Sequence, residues 1–77
     1  DGKMEFEKIQ NIIAEVLDIG PDDITEETTF EELEADSLDL FEIITQLEET
    51  FGIEIPTEEA DKIKTVGDAV NQIRNNG

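Results

Sequence analysis

The stretch Asp36-Ser37-Leu38-Asp39-Leu40-Phe41-Glu42-Ile43-Ile44-Thr45-Gln46-Leu47-Glu48-Glu49-Thr50-Phe51-Gly52 decides how the chain folds. Leu40, Ile43, Ile44, Leu47 and Phe51 recur at steps of three and four, which puts them on one face of an α-helix. Asp36 precedes that helix as an N-cap, because its carboxylate can accept bonds from the free N–H groups of the first turn. Asp39 falls in the first turn, where the helix dipole favours negative charge. Gly52 follows the last apolar residue and suits the left-handed position that closes a helix.

Working outward, Phe6, Ile9, Ile12, Ile13, Val16 and Leu17 mark an earlier amphipathic helix from Met4 to Leu17, with Gly20-Pro21 predicted to end it. Asp1-Gly2-Lys3 reads as an expression remnant ahead of Met4 as the natural first residue. Residues 21–35 have no period, so they form a long loop pinned to the core by Ile24, Phe30 and Leu33, with room for a short turn of helix. After Gly52, Ile53 and Ile55 are extended, and Thr57 to Ile63 allows two turns at most. Thr65 caps a last helix with Asp68 as its capping-box partner, and Val66, Ala69, Val70 and Ile73 form the buried stripe. The expectation is an all-α domain of three main helices, one short helix and a long first loop, packed as a four-helix bundle.

Composition narrows the function. The chain has 77 residues, 22 Asp and Glu against 5 Lys and Arg, and a net charge of -17. Cys, His, Trp and Tyr are absent. That excludes a disulfide framework, a Cys/His zinc site and a nucleophile–histidine triad. Nucleic acid is disfavoured as a partner, because its affinity comes from Lys and Arg neutralising phosphates. Anionic membrane surfaces are disfavoured for the same reason. No apolar run approaches a membrane span, so no membrane insertion is expected. The default compartment is cytoplasmic, and the strong net charge predicts a monomer. Carboxylates are so numerous that pairing them carries no catalytic information, and so small a domain leaves little room for an enclosed active site. The chain reads as a carrier or binding module, not an enzyme.

Ser37 stands out by position. Its hydroxyl lies at the first position of the central helix, at the positive end of the dipole, where a phosphate is well accommodated. Position alone favours an ordinary first-turn serine. On the helix wheel Phe41 lies on the flank of the core stripe, and Leu38 and Thr45 lie further round, among Glu42, Glu48 and Glu49. Either the 21–35 loop folds back over Phe41 or Leu38, or these residues form an apolar spot ringed by one sign of charge, the makeup of a docking face. No Lys or Arg occurs between Ile9 and Asp61, a field that steers basic partners.

Asp36-Ser37-Leu38-Asp39 with Glu42, then Leu47-Glu48-Glu49, Phe51-Gly52-Ile53-Glu54-Ile55-Pro56 and Thr65-Val66-Gly67-Asp68-Ala69-Val70, resembles the acyl carrier protein family. The likeness spans residues 4–77 as a single acyl carrier domain of the family's four-helix type. It implies that Ser37 bears 4′-phosphopantetheine, attached covalently from coenzyme A by a phosphopantetheinyl transferase. Such a phosphoprotein carries acyl thioesters to ketoacyl synthases and other enzymes of fatty acid biosynthesis and lipid metabolism through their basic docking patches. The resemblance further implies Leu38, Phe41 and Thr45 as apolar docking positions and Asp36, Asp39, Glu42, Glu48 and Glu49 as acidic ones. It implies an acyl pocket near Ile43, Leu47 and Ile63. Three residues depart from the common pattern: Glu34 stands where Gly is frequent, Phe41 where Val is usual, and Thr45 where Met or a similar apolar residue is usual. Asp36 before the serine fits fatty-acid carriers better than peptidyl carriers. A carrier for polyketides or an activated amino acid, and an unmodified acidic docking module, are the alternatives.

No EF-hand spacing is present, so no specific metal site is expected. Asp36 and Asp39 near Glu42, and the segment from Asp18 to Glu27, are places where divalent ions would relieve charge. Self-repulsion at this net charge lowers stability at low ionic strength. Millimolar Mg²⁺ or added salt is therefore expected to raise the melting temperature. A melting temperature that stays flat across both titrations overturns the self-repulsion argument.

Overall fold

The computed structural model describes residues 2–76. Its helices are α1 (Gly2–Leu17), α2 (Ser37–Phe51), the short α3 (Thr57–Ala60) and α4 (Val66–Asn76), with one 3-10 turn at Pro21–Asp23. This is the all-α architecture that the periodicity predicts. α1 begins two residues before Met4, its backbone running through Gly2 and Lys3, while Asp1 lies outside the described residues.

α1 packs against α2 and α4. Ile9 and Ile13 of α1 meet Ile43, Ile44 and Leu47 of α2 and Val66, Ala69, Val70 and Ile73 of α4 in one buried cluster. Ile24, Phe30, Ile55 and Ile63 enter it from the connections. Half-buried Phe6, Leu40 and Phe51 border it.

The end of α1 differs from the expectation. Asp18, not Gly20, adopts the left-handed backbone at φ 57°. The Ile19 N–H then reaches back to the Ala14 carbonyl at 3.0 Å, closing the helix in a Schellman arrangement. Asp tolerates this region better than most side chains because it can bond locally. Gly20 sits at φ −75° and opens the 3-10 turn instead. α2 closes the same way with Gly52 at φ 65° and the Ile53 N–H on the Glu48 carbonyl at 3.1 Å.

The long connection is pinned by Ile24 and Phe30 as predicted, and its backbone adds what sequence pattern could not show. The Gln10 amide of α1 donates to the carbonyls of Pro21 at 2.6 Å and Ile24 at 2.8 Å. The carbonyls of Thr28 and Glu26 accept the Val66 N–H at 2.9 Å and the Gly67 N–H at 2.8 Å. These are the first two amides of α4, which no intrahelical acceptor can reach. A Cβ at residue 67 would lie 3.0 Å from the Glu26 carbonyl oxygen, so a larger residue would have to push that carbonyl back by a few tenths of an ångström. Thr29 and Thr65 form an isolated antiparallel bridge beside it.

At α4 the predicted capping box is present. Thr65 Oγ1 accepts the Asp68 N–H at 3.0 Å, and Asp68 Oδ2 accepts the N–H groups of Lys64 and Thr65, each at 3.1 Å. The bond from Lys64, then that from Thr65, holds the Asp68 carboxyl below its ordinary value of 3.8.

Glu34 is the other non-glycine residue with positive φ, at 59°. The frequent Gly of the resembling family therefore has a backbone reason here. A left-handed L-residue costs about 1–2 kcal/mol, and the entropy of a glycine returns about 0.5–1 kcal/mol of that. Glu34→Gly is expected to raise the melting temperature by about 3–6 °C. Glu34→Gln, which removes only the charge, should raise it by less, and equal gains from both would place the effect in electrostatics. For Asp68 the folded carboxyl is lowered, so its stabilisation is present above the ordinary value of 3.8 and is lost as pH falls through the lowered folded value. The melting difference between wild type and Asp68→Asn should accordingly be constant near neutrality and vanish only in that acid range. A pH-independent difference would remove the ionised carboxylate from the explanation.

Candidate functional site

The N-terminus of α2 is built from Asp36 and Asp39. Asp36 Oδ1 accepts the Asp39 N–H at 2.9 Å, and Asp39 Oδ2 lies 3.5 Å from the Asp36 N–H, a reciprocal capping box. The Asp36 carbonyl takes the Leu40 N–H at 2.9 Å. The N–H groups of Ser37 and Leu38 then have no acceptor among the described residues, and both side chains are exposed. The first turn thus presents a hydroxyl, two open amides and the positive end of a helix at one point on the surface.

A cleft of about 250 Å³ starts at Ser37 and runs between α2 and the Ile55–Asp61 segment. Leu40, Phe41, Ile44, Ile55 and Ala60 give it apolar walls, and Thr45, Glu48, Thr57 and Asp61 give it polar ones. Ile43, Leu47 and Ile63, the sequence candidates for an acyl pocket, do not line it. They are closed into the core at 0%, 1% and 6% exposure. The lining was legible in the helix period: Leu40 and Phe41, Ile44 and Thr45, and Glu48 follow Ser37 at steps of three and four. The sequence reading followed the stripe of deepest burial instead. Ile55, Thr57, Ala60 and Asp61 come from across the gap and have no such signal.

Of the docking candidates, Leu38 is 78% and Phe41 70% exposed, so the 21–35 loop does not cover them. Asp36, Glu42 and Glu49 are exposed around them, while Asp39 and Thr45 are half-buried. Glu48 is half-buried and committed inward, its Oε2 accepting the Ile55 N–H at 2.7 Å. Among the described residues no group of three or more acidic side chains is arranged to hold a metal ion.

The family model for the phosphopantetheine attachment site matches residues 7–73. The chain belongs to the phosphopantetheine-bearing acyl carrier family. It is 56% identical over 70 residues to the acyl carrier protein of Lactobacillus acidophilus, covering 90% of this chain and 88% of that one. It is 50% identical over 72 residues to the acyl carrier protein of Wolinella succinogenes, covering 92% and 95%. A solved structure of the acyl carrier protein from Enterococcus faecalis superposes with a TM-score of 0.83 at 37% identity, over 100% of this chain and 99% of that one. The prosthetic group of this carrier is therefore 4′-phosphopantetheine. The residues at the head of α2 fit such a group: an exposed hydroxyl can form a phosphodiester, and the same turn holds two amides without an acceptor, which suit a phosphate. The carboxylates of Asp36 and Asp39 oppose the phosphate charge. A covalent bond there would hold the group against that repulsion.

Proposed function

We propose that Ser37 Oγ is the attachment point of 4′-phosphopantetheine and that the chain carries acyl groups for fatty acid synthesis in the cytoplasm, as a monomer without catalytic activity of its own. The observation that carries this reading is the position of Ser37, exposed at the head of α2 and at the mouth of the cleft. When bound, the arm supplies a thiol that holds acyl groups as thioesters, chemistry that a chain without Cys lacks.

The chain's own residues supply the rest. Asp36 and Asp39 hold the backbone of the first turn that presents the serine hydroxyl. Leu38 and Phe41 form the apolar centre of a docking face, and Asp36, Asp39, Glu42 and Glu49 form its acidic border. Partners on this reading are enzymes with basic patches: the transferase that installs the arm, ketoacyl synthases and other enzymes of chain elongation. The field of the Lys- and Arg-free stretch speeds their encounter. Leu40, Ile44, Ile55 and Ala60 shelter the acyl cargo in the cleft. No helix of the described residues is long and apolar enough to cross a membrane, in keeping with a carrier that diffuses between enzymes.

Intact mass after incubation with coenzyme A and a broad-specificity phosphopantetheinyl transferase tests the attachment. Wild type is expected to gain one phosphopantetheine and Ser37→Ala none. A folded wild type that gains nothing would leave an unmodified acidic docking module. A Ser37→Ala protein that still gains the group would move the site elsewhere.

A further inference from the structure

The polar groups that line the cleft beside α2 are not equivalent. Glu48 Oε2 is engaged by the Ile55 N–H at 2.7 Å. Thr57 and Asp61 are exposed, so water satisfies them. Thr45 is the half-buried hydroxyl of the lining, directly after the buried Ile44, with Ile55 and Ala60 among the apolar residues facing α2 across the gap. A threonine inside a helix can turn its hydroxyl onto the carbonyl four residues back. Thr45 makes no such bond, nor any other side-chain hydrogen bond among the described residues. Its hydroxyl therefore keeps one donor and two acceptor positions open. It lies eight residues beyond Ser37, about 12 Å along the helix.

We propose that Thr45 is a specificity-determining residue for the cargo: its hydroxyl makes the cleft favour a 3-hydroxyacyl chain over a saturated chain of the same length. This rests on the cleft sheltering the cargo, as proposed above. A saturated chain packed over Thr45 takes water away from the hydroxyl and returns no partner, which is the costly side of the hydrogen-bond balance. A chain hydroxyl restores the bond in either direction, because both groups donate and accept. A site that pairs a hydroxyl on its substrate rejects the analogue lacking it more sharply than an apolar site rejects a change of size. Because Thr45 is only half-buried, the preference is that of one neutral bond, about two- to tenfold. Condensation of two acyl units leaves an oxygen on the third carbon of the chain. A carrier that serves elongation therefore meets chains of both kinds.

Hydroxylamine cleavage of octanoyl and 3-hydroxyoctanoyl thioesters on the holo-carrier tests the assignment, each rate being taken relative to the matching pantetheine thioester. Wild type is expected to protect the 3-hydroxyoctanoyl thioester about two- to tenfold better than the octanoyl one. Thr45→Val keeps the shape and removes the hydroxyl, so it should protect octanoyl better than wild type does and lose the preference. Thr45→Ser keeps the hydroxyl and should keep the preference. A preference that survives in Thr45→Val belongs to the carboxylates of the lining and overturns the proposal, as does Thr45→Ser behaving like Thr45→Val. Equal protection of the two thioesters in wild type overturns it as well, while leaving the cleft reading intact. If wild type protects neither, the cleft reading fails and the proposal fails with it. Should Thr45→Val fail to fold by far-UV circular dichroism, Thr45→Ala removes the same hydroxyl and should also lose the preference.

Discussion

The amides of Val66 and Gly67 open α4 with no acceptor of their own, and the carbonyls of Thr28 and Glu26 supply one each. A buried amide left without a partner costs about 1–3 kcal/mol, so this pairing fixes where the long connection runs. Once Glu26 and Thr28 are fixed, Phe30 follows into the core, its own N–H on the Lys64 carbonyl at 3.1 Å. From Phe30 a single turn ends at left-handed Glu34, with the Ala35 N–H on the Phe30 carbonyl at 3.1 Å, and delivers the chain to Asp36. The serine at the head of α2 is thus positioned from the far end of the sequence. A side chain at residue 67 would crowd the Glu26 carbonyl at the contact that begins the series.

The acidity of the chain has a structural side that net charge conceals. Asp36, Asp39, Glu48 and Asp68 each direct a carboxylate oxygen at a backbone N–H. Charged acceptors make stronger hydrogen bonds than neutral ones, and a small domain with few bases has few other means of tying its turns. Among the described residues the one ion pair, Lys62 to Glu59 at 4.0 Å, is exposed and contributes little. Backbone amides therefore stand in for the missing cations wherever a carboxylate has to be held in place. The remaining acids are free to set the external field.

The helices, the Asp36 N-cap, the Thr65–Asp68 capping box and the prominence of Ser37, Leu38 and Phe41 were legible because each leaves a local trace, either a period of 3.6 or a residue at a fixed offset. Gln10 left none, because its partners are main-chain carbonyls of Pro21 and Ile24, which look alike in every sequence. Gly20 misled because glycine usually marks a helix end, yet Asp18 already occupied the left-handed position and closed the bonds. The cleft left a weaker trace for a different reason. α2 carries two apolar arcs, one through Ile43 and Leu47 and one through Leu40 and Ile44. Hydrophobicity alone does not tell which arc meets a close-packed neighbour and which meets a gap. The four-residue α3 is too short to fill the space beside the second arc, and a helix that short carries almost no periodic signal.

Ser37 lies where the outward apolar pair, Leu38 and Phe41, meets the arc that lines the cleft. A carrier must shelter its cargo and also surrender it, and these demands conflict energetically. Each methylene withdrawn from water contributes about 0.8 kcal/mol, so full burial of a medium-length chain would hold it against most partners. Two features temper that retention: polar Thr45, Glu48, Thr57 and Asp61 occupy part of the lining, and the α3 wall buries no residue fully. Phe41 contributes to both surfaces, lining the cleft while remaining 70% exposed. A partner that covers Phe41 therefore alters the mouth of the cleft in the same event. On the proposed reading, docking and release of cargo share side chains on α2, and so small a domain can link them without a second moving part.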